Sequence, residues 1–232
     1  MDAASRSQEL IARLKLLANP QNAAGMARFG INPQGTLGIP IPILRQMAKE
    51  TGRDHALAEA LWASGVHEAR ILASLVADPV QVDEVLMERW VSDFDSWDVC
   101  DQVCGNLFDR SAYAWEKAAA WSAREEEFVK RAGFALMAAL ASHAKKAPDS
   151  AFEPFFALIL RQSCDERNFV KKAVNWALRG LGKRSPGLNR RALETARQML
   201  ELPCRAAAWN AKDALRELES APVQAKIFRT RQ

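Results

Sequence analysis

Between Phe169 and Lys183 the apolar residues Val170, Val174, Ala177, Leu178 and Leu181 recur at helical spacing and form one face. At about 100° per residue, Trp176 points almost directly away from that face. It shares the outward stripe with Lys172, Arg179 and Lys183. The same period predicts helices along most of the chain. They run over Ser7–Ala18, Ile41–Thr51, His55–Ser64, His67–Ala77, Val80–Val91 and Phe94–Phe108. They continue over Ala112–Ala120, Glu125–Ala141, Phe152–Gln162, Phe169–Gly182, Asn189–Glu201 and Arg205–Glu219. Proline-containing punctuation separates many of them, at Asp78-Pro79, Ala147-Pro148-Asp149, Ser185-Pro186-Gly187 and Leu202-Pro203. Asp78, Asp149 and Asn168 read as N-terminal caps. Strand signals are almost absent, and no Asn-Gly or Asp-Gly hairpin turn occurs.

From Ile41 onward the helices pair into units of roughly 35–40 residues, the period of stacked helix hairpins. The expected fold is therefore all-α, an α-α superhelix of HEAT-like repeats, with residues 1–232 as one continuous domain. In such an array, outward residues from several helices converge on one rod-shaped ligand. Phe29–Pro42 reads as a loop, extended by Pro40 and Pro42 where it enters the next helix.

The segment Phe94–Phe108 poses the sharper chemical question. Phe94, Trp97, Cys104 and Phe108 are expected to share a face, and Asp101 lies within it, four residues after Trp97. A carboxylate on an apolar stripe is hydrogen-bonded, ion-paired or at work in a cleft. Asp101 reads either as an acid paired to Arg131 or another base, or as a catalytic group. Asp98 is expected on another face, solvated or accepting a local hydrogen bond.

Charge favours a polyanionic partner only locally. The chain carries 32 Lys and Arg against 28 Asp and Glu, for a net charge of +4. Yet the stretch from Arg167 to Arg191 holds eight basic residues and no acidic one. An indole in a row of cations is a poor core residue and a good surface for a phosphate backbone. The four cysteines (Cys100, Cys104, Cys164 and Cys204) are expected as reduced thiols, and no histidine lies near Cys100 and Cys104 in sequence to complete a metal site. No apolar run is long enough for a membrane span, and the N-terminus lacks a signal-peptide pattern. The expectation is a monomeric cytoplasmic protein without metal or cofactor.

At these residues the chain resembles the AlkD-like DNA alkylation repair family of bacteria, over nearly its whole length. The resemblance rests on Met26-Ala27-Arg28-Phe29, Leu37-Gly38-Ile39-Pro40, Glu68-Ala69-Arg70 and Ser96-Trp97-Asp98-Val99-Cys100-Asp101. Later come Phe128-Val129-Lys130-Arg131 and the run from Phe169 to Arg179, with its Lys-Ala-x-x-Trp-x-Leu-Arg pattern. The resemblance implies a superhelix of HEAT-like repeats that grips duplex DNA on its concave face. It implies excision of N3- and N7-alkylated purines without a cofactor, by a nucleoid-associated enzyme. Carried over by motif, Trp97, Asp101 and Trp176 look like the catalytic cluster, and Arg131 and Arg179 like backbone contacts. Lys172, Lys183, Arg28 and Phe29 are further candidates for contact with DNA. Phe29 stands where the family often has a tyrosine, and Pro40 where some members have a polar residue.

The chemistry fits these residue types. An N3- or N7-alkylated purine is cationic and leaves as a neutral base, so acid catalysis is of little use. Negative charge beside the developing sugar cation and a positioned water are what help. Two other classes stay open at this stage: a HEAT-like DNA-binding protein without glycosylase activity, and a protein-binding helical scaffold.

Overall fold

Each run of helical period becomes a helix up to the cap, glycine or proline that stops it. The computed structural model describes residues 2–229, and among them it has fourteen α-helices and no strand. The first seven are α1 (Ala3–Leu16), α2 (Pro20–Ala27), α3 (Ile41–Thr51), α4 (His55–Ala63), α5 (His67–Val76), α6 (Glu84–Ser92) and α7 (Trp97–Asn106). The rest are α8 (Ala114–Ser122), α9 (Glu127–His143), α10 (Glu153–Gln162), α11 (Asn168–Gly182), α12 (Pro186–Leu200), α13 (Arg205–Leu218) and α14 (Ala221–Arg229). None of them is long and apolar enough to cross a membrane.

The differences from expectation have local causes. Helices α2 and α14 are short, and α2 is weakly periodic. The start of α2 is nonetheless marked by Pro20 and by Asn19, whose side chain accepts from the Asn22 N–H at 3.0 Å. Helix α7 begins at Trp97, because Ser96 is extended and its Oγ accepts from the Asn32 N–H at 2.8 Å. Phe94 therefore precedes the helix and Phe108 follows it, so the shared aromatic stripe is not a helical face. Both rings pack in the core, 6.4 Å apart. Asp78 caps a 3₁₀ turn, and Asp83 caps α6. Asp149 does not cap α10; it accepts the Ser185 hydroxyl. Asn168 is the first residue inside α11 rather than its cap.

The chain forms two compact units, Met1–Tyr113 and Ala114–Gln232. In the first, α4 and α5 make a hairpin flanked by α1 and α3. Helices α4 and α6 run side by side: Trp62 stacks on Trp90 with centroids 4.1 Å apart, and Arg89 meets Glu59 at 2.9 Å. Helices α5 and α7 form the parallel row in front, joined by His67 with Asp98 and by Asn106 with Ser74.

In the second unit α11 lies between α9 and α13. Arg184 reaches Ala141 O on α9, while Asn175 and Lys183 reach Asn210 O and Glu217 on α13. Numbers rise together on all three helices, so they are parallel, as stacked hairpins require. Helices α8, α10 and α12 form the layer behind. From Val129 to Ala141 helix α9 is buried on every side, which explains why its sequence is apolar all round from Ala132 to Ala141. A Cβ on Gly133 would stand 2.4 Å from Ser122 N, so the close crossing of α8 and α9 requires glycine there.

Hairpins thus begin at His55, Glu84, Ala114, Glu153 and Pro186, spaced 29–39 residues apart rather than 35–40. The expectation of four reduced thiols is also corrected. Cys164 and Cys204 form a disulfide, because the turn after α10 lies beside the N-terminus of α13, with a Cα–Cα distance of 5.6 Å. Cys100 and Cys104 keep their thiols and are buried.

Candidate nucleic-acid interface

In the first unit, Arg28 to Pro40 is bound as a strap over the N-termini of α5 and α7. Glu68, fully buried, accepts the backbone N–H groups of Leu37, Gly38 and Ile39 at 2.7–3.2 Å. The His67 N–H donates to Gly35 O at 3.1 Å. Asn32 donates its backbone N–H to Ser96 and its amide to Asp95 at 2.7 Å. Gly38 has φ +79°, and a Cβ there would meet Asn19 O at 2.3 Å. Two of the motif pieces, Leu37-Gly38-Ile39-Pro40 and Glu68-Ala69-Arg70, are therefore two halves of one clasp.

The strap ends at Phe29, which is 74% exposed, and the Phe29 carbonyl accepts the Trp97 indole N–H at 3.1 Å. Trp97 and Phe29, with Met26, Ile31, Ile39 and Pro40, line an open apolar cleft of about 560 Å³. Most of these residues also line a pocket of about 270 Å³ that His67, Asp98 and Gln102 share. His67 is buried, and its Nε2 lies 2.8 Å from Asp98 Oδ2. Burial disfavours its charged form, but the Asp98 hydrogen bond and charge, with Glu68 and Asp95 adding, hold the imidazole above its ordinary value. Asp98 is thus tied to a buried base, not merely solvated. Asp101 is half-buried one turn beyond Trp97. Burial first, then Cys100 and the Asp101 charge, push the Cys104 thiol well above its usual range, so it is no nucleophile. Arg28 is exposed.

In the second unit, Trp176 is half-buried. It lines a cleft of about 600 Å³ with Lys145, Lys183, Arg184, Lys226 and one acid, Asp149. The one-signed charge expected from Arg167 to Arg191 is corrected. Arg179 pairs with Glu217 and lies 3.6 Å from Asp213, and Lys183 meets Glu217 at 2.7 Å. Both acids come from α13, the next parallel helix. Burial opposes the Glu217 charge, yet hydrogen bonds from Lys183 and Arg179 hold its carboxyl below the ordinary value. Arg167 pairs with Asp165 at 2.6 Å, and Arg191 with Glu194 at 2.9 Å. Arg184 satisfies the carbonyls of Ala141, Ala144 and Ala147. Lys172 stays exposed, with no carboxylate in ion-pair range among the described residues.

Arg131, expected on a phosphate, is 6% exposed and donates to Phe169 O at 2.6 Å. It ties the start of α11 to α9 instead of standing open as a cation.

Two residues of interest, His67 and Trp209, escaped the sequence reading, as did the partner of Asp98. His67 and Asp98 meet across 31 positions, and nothing local announces that contact. Trp209 had a signal. It lies opposite the Ala207, Ala211, Ala214 and Leu218 face of α13, by the same period that singled out Trp176.

With this geometry in view, the likenesses to known proteins are informative. A family model described as "DNA alkylation repair enzyme" matches residues 10–218. A solved structure, described as "A new family of proteins related to the HEAT-like repeat DNA glycosylases with affinity for branched DNA structures", is similar with a TM-score of 0.73. It is 21% identical over 82% of this chain and 82% of its own, a likeness of fold. No curated protein matches.

Proposed function

We propose, from the premise that the chain belongs to the DNA alkylation repair enzyme family, that it is a glycosylase releasing N3- and N7-alkylated purines from duplex DNA. The observation that carries the reading is Asp101, half-buried one helical turn from the cleft-lining Trp97, inside the motif of that family. The C1′–N bond breaks with its electron pair passing to the cationic base, which departs neutral. Water adds its oxygen to C1′ and gives up a proton. The Asp101 carboxylate stabilises the sugar cation and accepts that proton. The indole face of Trp97 attracts the cationic nucleotide, worth about 0.5–2 kcal/mol. Lys172 and Arg28 take phosphates directly. Arg179 and Lys183 do so by exchanging Glu217 for the DNA. Phe29 adds apolar contact at the rim. Arg131 acts by anchoring α11.

The test is release of free N7-methylguanine from duplex DNA, with and without a chelator. Asp101→Asn keeps the shape and removes the charge, and the rate is expected to fall by about 10²–10³. Duplex affinity is expected to change little. Chelation is expected to leave the rate unaltered, because a cationic leaving group needs no Lewis acid. Wild-type rates in a folded Asp101→Asn protein would falsify the assignment.

A second reading is supported by the affinity of the structurally similar protein for branched DNA. A non-catalytic DNA-binding protein would bind salt-dependently and release no base from any of these substrates.

A further inference from the structure

Of the seven tryptophans only Trp209 is exposed, at 43%. It stands on the outer side of α13, where a structural role would have no use for a bare indole. The Lys171 ammonium from α11 lies over the ring, 5.2 Å from its centroid. Arg205 and Lys212, four residues before and three after, share that side of α13 and are exposed. None of these three cations has a carboxylate in ion-pair range among the described residues. Two acids lie close by: Asp213, engaged by Arg179 and Arg216, and Glu166, which accepts the Ala206 N–H at 3.0 Å. Lys172, the exposed neighbour of Lys171, adds a further unpaired charge on the outward face of α11.

Helices α11 and α13 are parallel, and the Asn175 bond to Asn210 O, with Arg179 beside Asp213, sets their register. Trp176 and Trp209 therefore stand at nearly the same level of adjacent helices, whose axes are about 8–10 Å apart. Trp176 sits in a cleft with walls, whereas Trp209 is exposed, with Lys171 over its ring and Arg205 and Lys212 on the same side of α13. That combination matches an unpaired base lying on an aromatic ring with its phosphates held at either side. A base pair inside a duplex has no face to offer it.

We infer that Trp209, with Lys171, Arg205 and Lys212, forms a second nucleotide-binding platform that stacks an unpaired base of a DNA strand. The inference deepens the DNA-binding reading above, and its test is independent of base release. The probes are a 12-nucleotide oligothymidylate and a strand of the same length with abasic sites, which keeps the phosphates and removes the bases. The wild-type protein is expected to prefer oligothymidylate. Trp209→Ala is expected to weaken that complex about 5- to 100-fold and the abasic complex less than twofold. Trp209→Phe, which keeps a ring, is expected to restore most of the affinity. Thermal unfolding of each variant shows whether it is folded.

Equal wild-type affinity for the two strands would overturn the platform. So would an equal loss on both strands in a folded Trp209→Ala protein, or no loss on either. N7-methylguanine release is measured in parallel. A protein that releases no base yet discriminates the strands through Trp209 supports the platform and sinks the glycosylase reading. One that releases base but shows no Trp209-dependent discrimination does the reverse.

Discussion

Glu68→Ala is the perturbation whose cost follows most directly from the structure. The Glu68 carboxylate is fully buried and accepts three backbone N–H groups, at 2.9 Å from Leu37, 2.7 Å from Gly38 and 3.2 Å from Ile39. A hydrogen bond to a charged group contributes about 1.5–3 kcal/mol. Simple addition over three donors overshoots, because Leu37 is half-buried and regains water when the clasp is cut. Gly38 and Ile39 are buried, and their donors are stranded. The expected loss is about 3–5 kcal/mol. At about 2–4 °C per kcal/mol for a chain of this size, the melting temperature falls by roughly 10 °C. Glu68→Gln keeps one acceptor oxygen but turns an NH₂ toward a donor, so about half that loss is expected. The strap also carries the Phe29 carbonyl that receives the Trp97 indole, so base release is expected to fall even where the variant remains folded. The assay is thermal unfolding together with hydrogen exchange at Leu37, Gly38 and Ile39. A Glu68→Ala protein that melts within about 1 °C of wild type, with those amides still protected, would refute the clasp.

Other consequences concern charge and covalent structure. His67 has a folded pKa above its ordinary 6.5, so the contribution of its pair with Asp98 is full below that value and is lost as pH rises through the folded pKa. The melting-temperature advantage of wild type over His67→Gln is expected to shrink as pH rises above 6.5; a constant gap would contradict the pairing. Glu217→Gln releases Arg179 and Lys183, so duplex binding is expected to tighten and its salt dependence to steepen by about one to two units. Weaker or unchanged binding would show that Glu217 does not restrain them. Cys204→Ser opens a bridge between residues 40 apart, with an expected cost of about 3–4 kcal/mol by chain entropy. Reducing agent is expected to lower the wild-type melting temperature toward the same value, and a wild type indifferent to reductant would argue against the bond.

Sequence periodicity by itself determined the hairpin architecture, the direction in which Trp176 points and most of the helices, though not α2 or α14. These depend on residues three and four apart, whose positions a single helix settles without reference to anything else. The spacing of Trp97 and Asp101 was legible for the same reason, and so was Trp209, whose signal only needed the same period applied to α13. The start of α7 was not, because Ser96 is held extended by a backbone N–H from Asn32. The charge of the α11 surface was misread in the same way. Eight cations without an acid look unbalanced along the chain, yet Asp213 and Glu217 meet Arg179 and Lys183 from the adjacent helix. The burial of Arg131 against Phe169, the Glu68 clasp, the His67–Asp98 pair and the Cys164–Cys204 bond are contacts of that kind, between residues 29–40 apart. A helical period reports which side of a helix is polar. What stands opposite that side is decided by how hairpins of unequal length come into register, and that exists only once they are stacked.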